Sequence, residues 1–182
     1  MKQGRIIIIT GSPGTGKSTT ASIVAKESNL TKSVHMHTDD FYHYIQKGTI
    51  PPFLPESQEQ NLIVIEAFLE AAKRFARGGF DVIIDGIVGP WFLEPWLKAV
   101  QDHYEVHYII LRATKEVTMR RAIHRSKLDE NSNIELVENM WEQFNNLGRY
   151  ESNIIDTTHQ SIEQSVSTIK AVIEKKSSLL TI

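Results

Sequence analysis

The sequence predicts an α/β domain in which helices cover both faces of a parallel sheet. Short β-branched runs alternate with longer helical patterns along the whole chain. The first run, Ile6-Ile7-Ile8-Ile9, is apolar without interruption. A strand buried on both faces reads in that way, whereas a half-solvated strand alternates. No internal repeat, low-complexity tract or long linker divides the 182 residues, so one domain spanning 1–182 is expected.

The elements follow in order. Arg5–Thr10 reads as the first strand, 11–16 as a turn and 17–27 as a helix with Ala21, Val24 and Ala25 at helical spacing. Residues 34–38 form a second strand. Residues 48–55 carry three of the six prolines and read as an extended loop. Gln58–Arg77 is a long amphipathic helix with Leu62, Ile65, Ala67, Phe68, Leu69, Ala72 and Phe75 as its apolar set, stopped by Gly78-Gly79. A strand over 80–85, a helix over 94–102, a strand over 104–111 and a helix over Lys115–Arg125 come next. Residues 126–133 are polar and read as a loop. A helix over 134–147, a short strand at Ile154–Asp156 and a helix over 161–176 complete the pattern. This β-α alternation implies right-handed crossovers and helices on both faces, with the strand order left open.

Gly11-Ser12-Pro13-Gly14-Thr15-Gly16-Lys17-Ser18 matches the phosphate-binding pattern G-x-x-x-x-G-K-[ST], between a predicted strand and a predicted helix. Gly11, Gly14 and Gly16 permit backbone angles that a Cβ hinders, so the loop turns its N–H groups inward around phosphate oxygens. The helix that starts there adds the positive end of its dipole. Lys17 is placed to reach the β- and γ-phosphates, Ser18 to ligate Mg²⁺, and Thr19 to assist near the α-phosphate. The pattern points to a nucleoside triphosphate and does not separate kinase, NTPase and switch protein.

Two strand ends carry acids. Asp85 closes an apolar run and is the candidate second Mg²⁺ ligand, with Gly86 permitting a sharp turn beside the phosphates. The competing reading is an Asp that caps a turn. Asp39 and Asp40 stand at the end of the second strand, where parallel sheets deliver their ligand crevice. One is a candidate general base for an acceptor hydroxyl, and the other a candidate for Mg²⁺ water or a substrate hydroxyl. Alternatively Asp40 is an N-cap. Arg112 follows a strand. Arg120, Arg121 and Arg125 lie on one helical stretch, the last two sharing a face at i, i+4. Arg121 and Arg125 are candidates to close over a transferring phosphoryl group as part of a lid at about 121–133. The competing reading is a solvated basic face paired with Glu116, Asp129 or Glu130.

Other classes are disfavoured. A formal net charge of -2 lacks the concentrated basic surface that nucleic acid requires. Zero cysteines exclude disulfides and thiol chemistry. The seven histidines show no metal-binding spacing, and only His37 and His43 are placed near the crevice. Trp91, Trp96 and Trp141 read as core or interface. No apolar run reaches membrane-spanning length, so a cytoplasmic location is expected.

The phosphate-binding loop, Thr38-Asp39-Asp40-Phe41, the Arg121-to-Arg125 segment and Ile154-Ile155-Asp156-Thr157 together resemble the gluconate and shikimate kinase branch of the small P-loop kinases. Asp40-Phe41 matches the second half of the gluconate kinase Asp-x-Asp-Phe, with Thr38 where that family has the first acid. Val82-Ile83-Ile84-Asp85-Gly86 is similar to the Leu-Asp-Gly strand end of nucleoside monophosphate kinases, without their Phe-Pro-Arg continuation. The acid pair is also similar to polynucleotide 5′-kinases and antibiotic phosphotransferases. The resemblance implies a three-layer α/β/α P-loop NTPase fold with five parallel strands. It also implies adenine near Arg112, with Asp156 and Thr157 alongside. The expected activity is transfer of the ATP γ-phosphoryl group, with Mg²⁺, to a hydroxyl of a small molecule such as a gluconate-like acceptor. The alternatives are a nucleotide-dependent switch and a nucleotide or polynucleotide 5′-kinase.

Overall fold

A computed structural model describes residues 3–125 and 130–182, and side chains at 3–123 and 134–182. Five parallel strands form one sheet in the order β2-β3-β1-β4-β5: β1 Arg5–Thr10, β2 Ser33–His37, β3 Asp81–Gly86, β4 Glu105–Arg112 and β5 Ile154–Asp156. The helices are α1 Lys17–Lys26, α2 Thr38–His43, α3 Gln58–Arg77, α4 Glu94–Gln101, α5 Lys115–Arg125, α6 Glu130–Gln143 and α7 Ile162–Glu174. Single 3₁₀ turns occupy Pro55–Ser57 and Pro90–Phe92, and a longer one Gly148–Asn153. None of the described helices is long and apolar enough to cross a membrane.

The isoleucine run of β1 is divided by the pleat. Ile6 and Ile8 pack with Phe68, Leu69 and Ala72 of α3 and Trp96 of α4. Ile7 and Ile9 pack with Ala21 and Val24 of α1 and Ile169 of α7. Successive side chains of a strand point to opposite faces, so a run with no polar member requires a helix layer on each side. Each Ile on β1 is at most 1% exposed, a burial that stabilises by about 2 kcal/mol per side chain.

Three details depart from the sequence expectations. The buried stripe of α3 is Asn61, Val64, Ile65, Phe68, Leu69, Ala72 and Ala76, whereas Leu62 and Phe75 are exposed. Phe75 instead packs edge-on against Phe80 across the Gly78-Gly79 turn. Second, α2 starts at Thr38, so Asp39 and Asp40 lie in a helical first turn rather than on an extended strand end, and neither is the N-cap, which is His37. Third, residues 130–133, expected in a loop, begin α6. A polar first turn is ordinary at a helix start, where N–H groups face solvent. Residues 126–129 of the expected loop lie outside the described residues.

Two peripheral arrangements anchor the sheet. Asp81, 2% exposed at the start of β3, accepts from Arg5 Nε at 2.8 Å, Arg5 Nη2 at 2.6 Å and Ser28 Oγ at 2.5 Å. Residues near the C-terminus return to the free edge of β4, where Tyr108 N donates to Ser178 O and Leu180 N to Val106 O, each at 2.8 Å. Buried His107 meets Ser178 Oγ at 2.9 Å there. Asp81→Ala strands the part-buried Arg5 guanidinium without its partner. We expect a loss of about 3 kcal/mol in urea denaturation.

Candidate active site

The phosphate-binding loop joins β1 to α1 at the carboxyl edge of the sheet. Gly14 and Gly16 take positive φ values of 83° and 91°. A Cβ at Gly14 would lie 2.7 Å from Thr118 O, so this glycine also lets α5 sit directly against the loop. Thr15 Oγ1 donates to Ser12 O at 2.9 Å and Thr20 Oγ1 to Gly16 O at 2.6 Å, which sets the loop from within. Lys17 Nζ lies 3.4 Å from Ser12 O, folded back over the loop. No side chain caps α1 and its first turn holds no acid, so its leading N–H groups and dipole face the loop interior.

Asp85 arrives beside this loop through strand register. It stands opposite Ile9 of β1 and His37 of β2. Its carboxylate is 2% exposed and stands near the Ser18 hydroxyl, which helps to lower its pKa. The two residues expected to organise Mg²⁺ are therefore neighbours. His35 Nε2 and His37 Nδ1 both approach Asp85 Oδ1 at 2.7 Å. The sequence shows no metal-binding spacing among its histidines and places His37 only near the crevice; His35 and His37 supply two members of this cluster. The third member comes from the neighbouring strand, and their donor atoms lie within 4.8 Å of one another. Burial pushes the Asp85 carboxyl up. The hydrogen bonds from His35 and Ser18, with the charges of His37 and His35, outweigh that and hold it below its ordinary 3.8. The hydroxyl and ionised carboxylate are hard oxygen donors suited to Mg²⁺. The imidazole pair also suits softer divalent ions.

Past Asp85 the chain is pinned. A Cβ on Gly86 would lie 1.8 Å from Thr38 Oγ1, so β3 and α2 meet as closely as they do only with glycine there. Val88 N donates to Thr10 Oγ1 at 2.9 Å, and Tyr108 Oη donates to Val88 O at 2.8 Å. The fixed segment then forms one wall of a cleft of about 570 Å³ that starts where β2 and β3 end. Ile87, Trp91 and Phe92 contribute this wall; Thr38, Asp39 and Tyr42 of α2, Pro52 and Phe53 of the proline-rich loop, α3 and α6 contribute the others. That loop is tied to α3 by Ile50 N to Gln60 Oε1 at 2.8 Å, Gln60 Nε2 to Ile50 O at 2.7 Å and Asn61 Nδ2 to Pro52 O at 2.9 Å.

The cleft separates the two acids. Both are exposed; Asp39 lines the cleft, whereas Asp40 is not among its lining residues. Burial, helped by the Asp39 charge, pushes the Tyr42 hydroxyl up to about 12. His43 is exposed and absent from the described lining, contrary to expectation, while Trp91, read from sequence as core or interface, lines the cleft at 47% exposure.

The arginines differ in what they hold. Arg121 Nη2 donates to Thr157 O at 3.2 Å, which ties α5 to the end of β5. Arg120 is exposed, and the Arg125 side chain lies outside the described residues. Arg112, expected beside adenine, forks onto Glu151 with two 3.0 Å bonds and also donates to Asn145 O at 3.0 Å. Thr157 is 2% exposed and continues the β5 pairing through its N–H to Arg112 O at 2.8 Å, so its side chain faces inward. Asp156 stays exposed beside β5. Hydrogen bonds from Thr158, including its N–H at 2.8 Å, hold its carboxyl below the usual range.

Comparison with known proteins places this geometry. A family model described as an AAA domain matches residues 7–160. A guanylate kinase of Clostridium tetani (strain Massachusetts / E88) is 26% identical over 188 residues, covering 94% of this chain and 88% of the relative. The APS kinase CysC of Mycobacterium tuberculosis, solved with AMPPNP and APS, superposes with a TM-score of 0.73 at 16% identity over 96% of this chain and 99% of that one. A gluconokinase from Sinorhizobium meliloti 1021 gives a TM-score of 0.68 at 16% identity over 97% and 95%. The fold is that of the P-loop kinases, with a parallel five-stranded sheet and flanking helices.

The Asp85 network makes a testable contribution to acid stability. A carboxyl lowered on folding stabilises the native state above its unfolded value, and that contribution is lost as pH falls through the lower folded value. The urea midpoint of the parent chain is expected to fall as pH drops below about 4, the range in which this carboxyl is ionised only in the folded chain. Asp85→Asn should flatten this limb; an unchanged slope would show that the carboxylate is not held ionised by its neighbours.

Proposed function

The chain belongs to the AAA domain family, its model spanning residues 7–160, and on that premise we propose that the protein is an ATP-dependent phosphotransferase acting on a hydroxyl of a small molecule. One observation carries the reading. The phosphate-binding loop and its Ser18–Asp85 pair share the carboxyl edge of the sheet with a separate cleft that holds Asp39. A donor site and an acceptor site with an acid at the acceptor end are the parts that phosphoryl transfer requires.

The roles follow from chemistry. The amides of residues 11–19 and the α1 dipole hold the triphosphate, and Lys17 neutralises the β- and γ-phosphates. Ser18 and Asp85 would hold Mg²⁺, which would neutralise phosphate charge. Asp39, rather than Asp40, orients the acceptor hydroxyl and takes its proton, because it alone of the two lines the cleft. Arg121 stands on the helix that packs against Gly14 and stabilises charge on the transferring group, with Arg125 one turn further along that helix. Asp156 and the backbone after β5 flank the adenine, and Arg112 positions that edge through Glu151. Positioning and electrostatics supply most of the acceleration.

Lys17→Ala should lower phosphoryl transfer by about 10²-fold or more with the fold intact by circular dichroism, and undiminished turnover would defeat the assignment. Asp39→Asn is expected to reduce kcat by about 10²- to 10⁴-fold, against a change of about threefold or less for Asp40→Asn. The reverse ranking would move the base to Asp40.

A further inference from the structure

The names of the comparison proteins include guanylate and gluconate, both anions. The acceptor cleft of this chain has a different character. Among the described residues that line it, Asp39 is the one charged side chain, and there is no lysine, arginine or histidine. Four aromatic residues, Tyr42, Phe53, Trp91 and Phe92, make up much of the remaining wall. A site built for a carboxylate or phosphate supplies basic forks, because a desolvated anion without a partner is strongly disfavoured. Here an anionic acceptor meets Asp39 and no described cation.

The floor points the same way. Asn61 is 4% exposed in the cleft lining. Its Nδ2 is committed to Pro52 O and Ser57 Oγ, each at 2.9 Å. Ser57 Oγ lies within donating distance of Pro52 O and Leu54 O, so it accepts from Asn61, which fixes the amide orientation. Asn61 Oδ1 is then a buried acceptor with no donor among the described atoms. A buried acceptor without a partner is costly; this one lies beneath the cleft surface, so Asn61 gives the floor a neutral polar group and no cation. Exposed Trp91 presents a face on which a flat ring stacks or a cation rests.

We propose that the phosphoryl acceptor is an uncharged or cationic alcohol with a flat or apolar body and hydrogen-bond donors, and that sugar acids and nucleoside monophosphates are rejected. This rests on the phosphotransferase reading and narrows its acceptor to a chemical class.

Matched acceptors that differ in charge provide the test. Transfer from γ-labelled ATP is measured to guanosine against guanylate, to other nucleosides and aromatic alcohols, and to an aminoglycoside against gluconate and shikimate. The expected result is transfer to at least one neutral or cationic compound, with kcat/KM about tenfold or more above its anionic counterpart. Gln143→Arg places a cation on the cleft wall and should narrow that ratio. Preference of the parent chain for an anionic member would overturn the proposal, as would Mg·ATP binding with no transfer to any neutral or cationic member. Calorimetry with Mg·ATP separates the two levels. Absence of nucleotide binding refutes the phosphotransferase reading itself, whereas binding with an anion preference refutes only the acceptor class.

Discussion

The register between β1 and β3 is the constraint on which the candidate site depends. It sets Ile9 opposite Asp85 and Thr10 opposite Gly86. One pairing brings a carboxylate to the Ser18 hydroxyl; the other brings the chain turn next to Thr38 and the threonine hydroxyl to Val88 N. A slip by one residue would turn Asp85 to the opposite face and bury an aliphatic side chain at Ser18. The alternation of isoleucines between two helix layers is what forbids such a slip, because it would reverse every core contact of the strand. Core packing and site geometry are therefore one requirement met by the same six residues of β1.

The site divides its charges between two neighbouring spaces. At the loop, Lys17, the uncapped end of α1 and the nearby Arg121 give a surface for anions. At the cleft, Asp39 is the one charged side chain among the described lining residues, set among aromatic walls. Asp85 stands between, held ionised by His35, His37 and Ser18. Under the proposed reading, such a division would align a triphosphate with an alcohol without requiring the acceptor to compete for the phosphate contacts.

The comparison proteins agree in fold while their printed names differ in acceptor, and that spread has a structural counterpart. The sheet and the loop after β1 are covered by helices and strand register. The cleft is made from the proline-rich loop, α2, α3, the segment after β3 and α6. These pieces tolerate changes of side chain without disturbing the sheet, because function on a shared fold resides in the groups grafted onto it.

Much of this was legible in one dimension. The isoleucine run announced a strand covered on both faces, the G-x-x-x-x-G-K-S pattern announced the loop, and an apolar strand ending in Asp85 announced a carboxylate beside it. Each is a local signal, set by residues a few positions apart on one element. The phase of α3 was less legible. Its apolar residues nearly encircle the helix, so periodicity did not expose Asn61 as a member of the buried stripe. Tertiary structure alone decided what came from separate elements. The His35–His37–Asp85 cluster needs β2 placed beside β3, and the choice of Asp39 over Asp40 needs the helical start at Thr38. The cleft likewise needs five segments brought together by the sheet order β2-β3-β1-β4-β5. The pattern along a chain records which residues share a face of one strand or helix; which faces then meet is determined by packing over the whole domain.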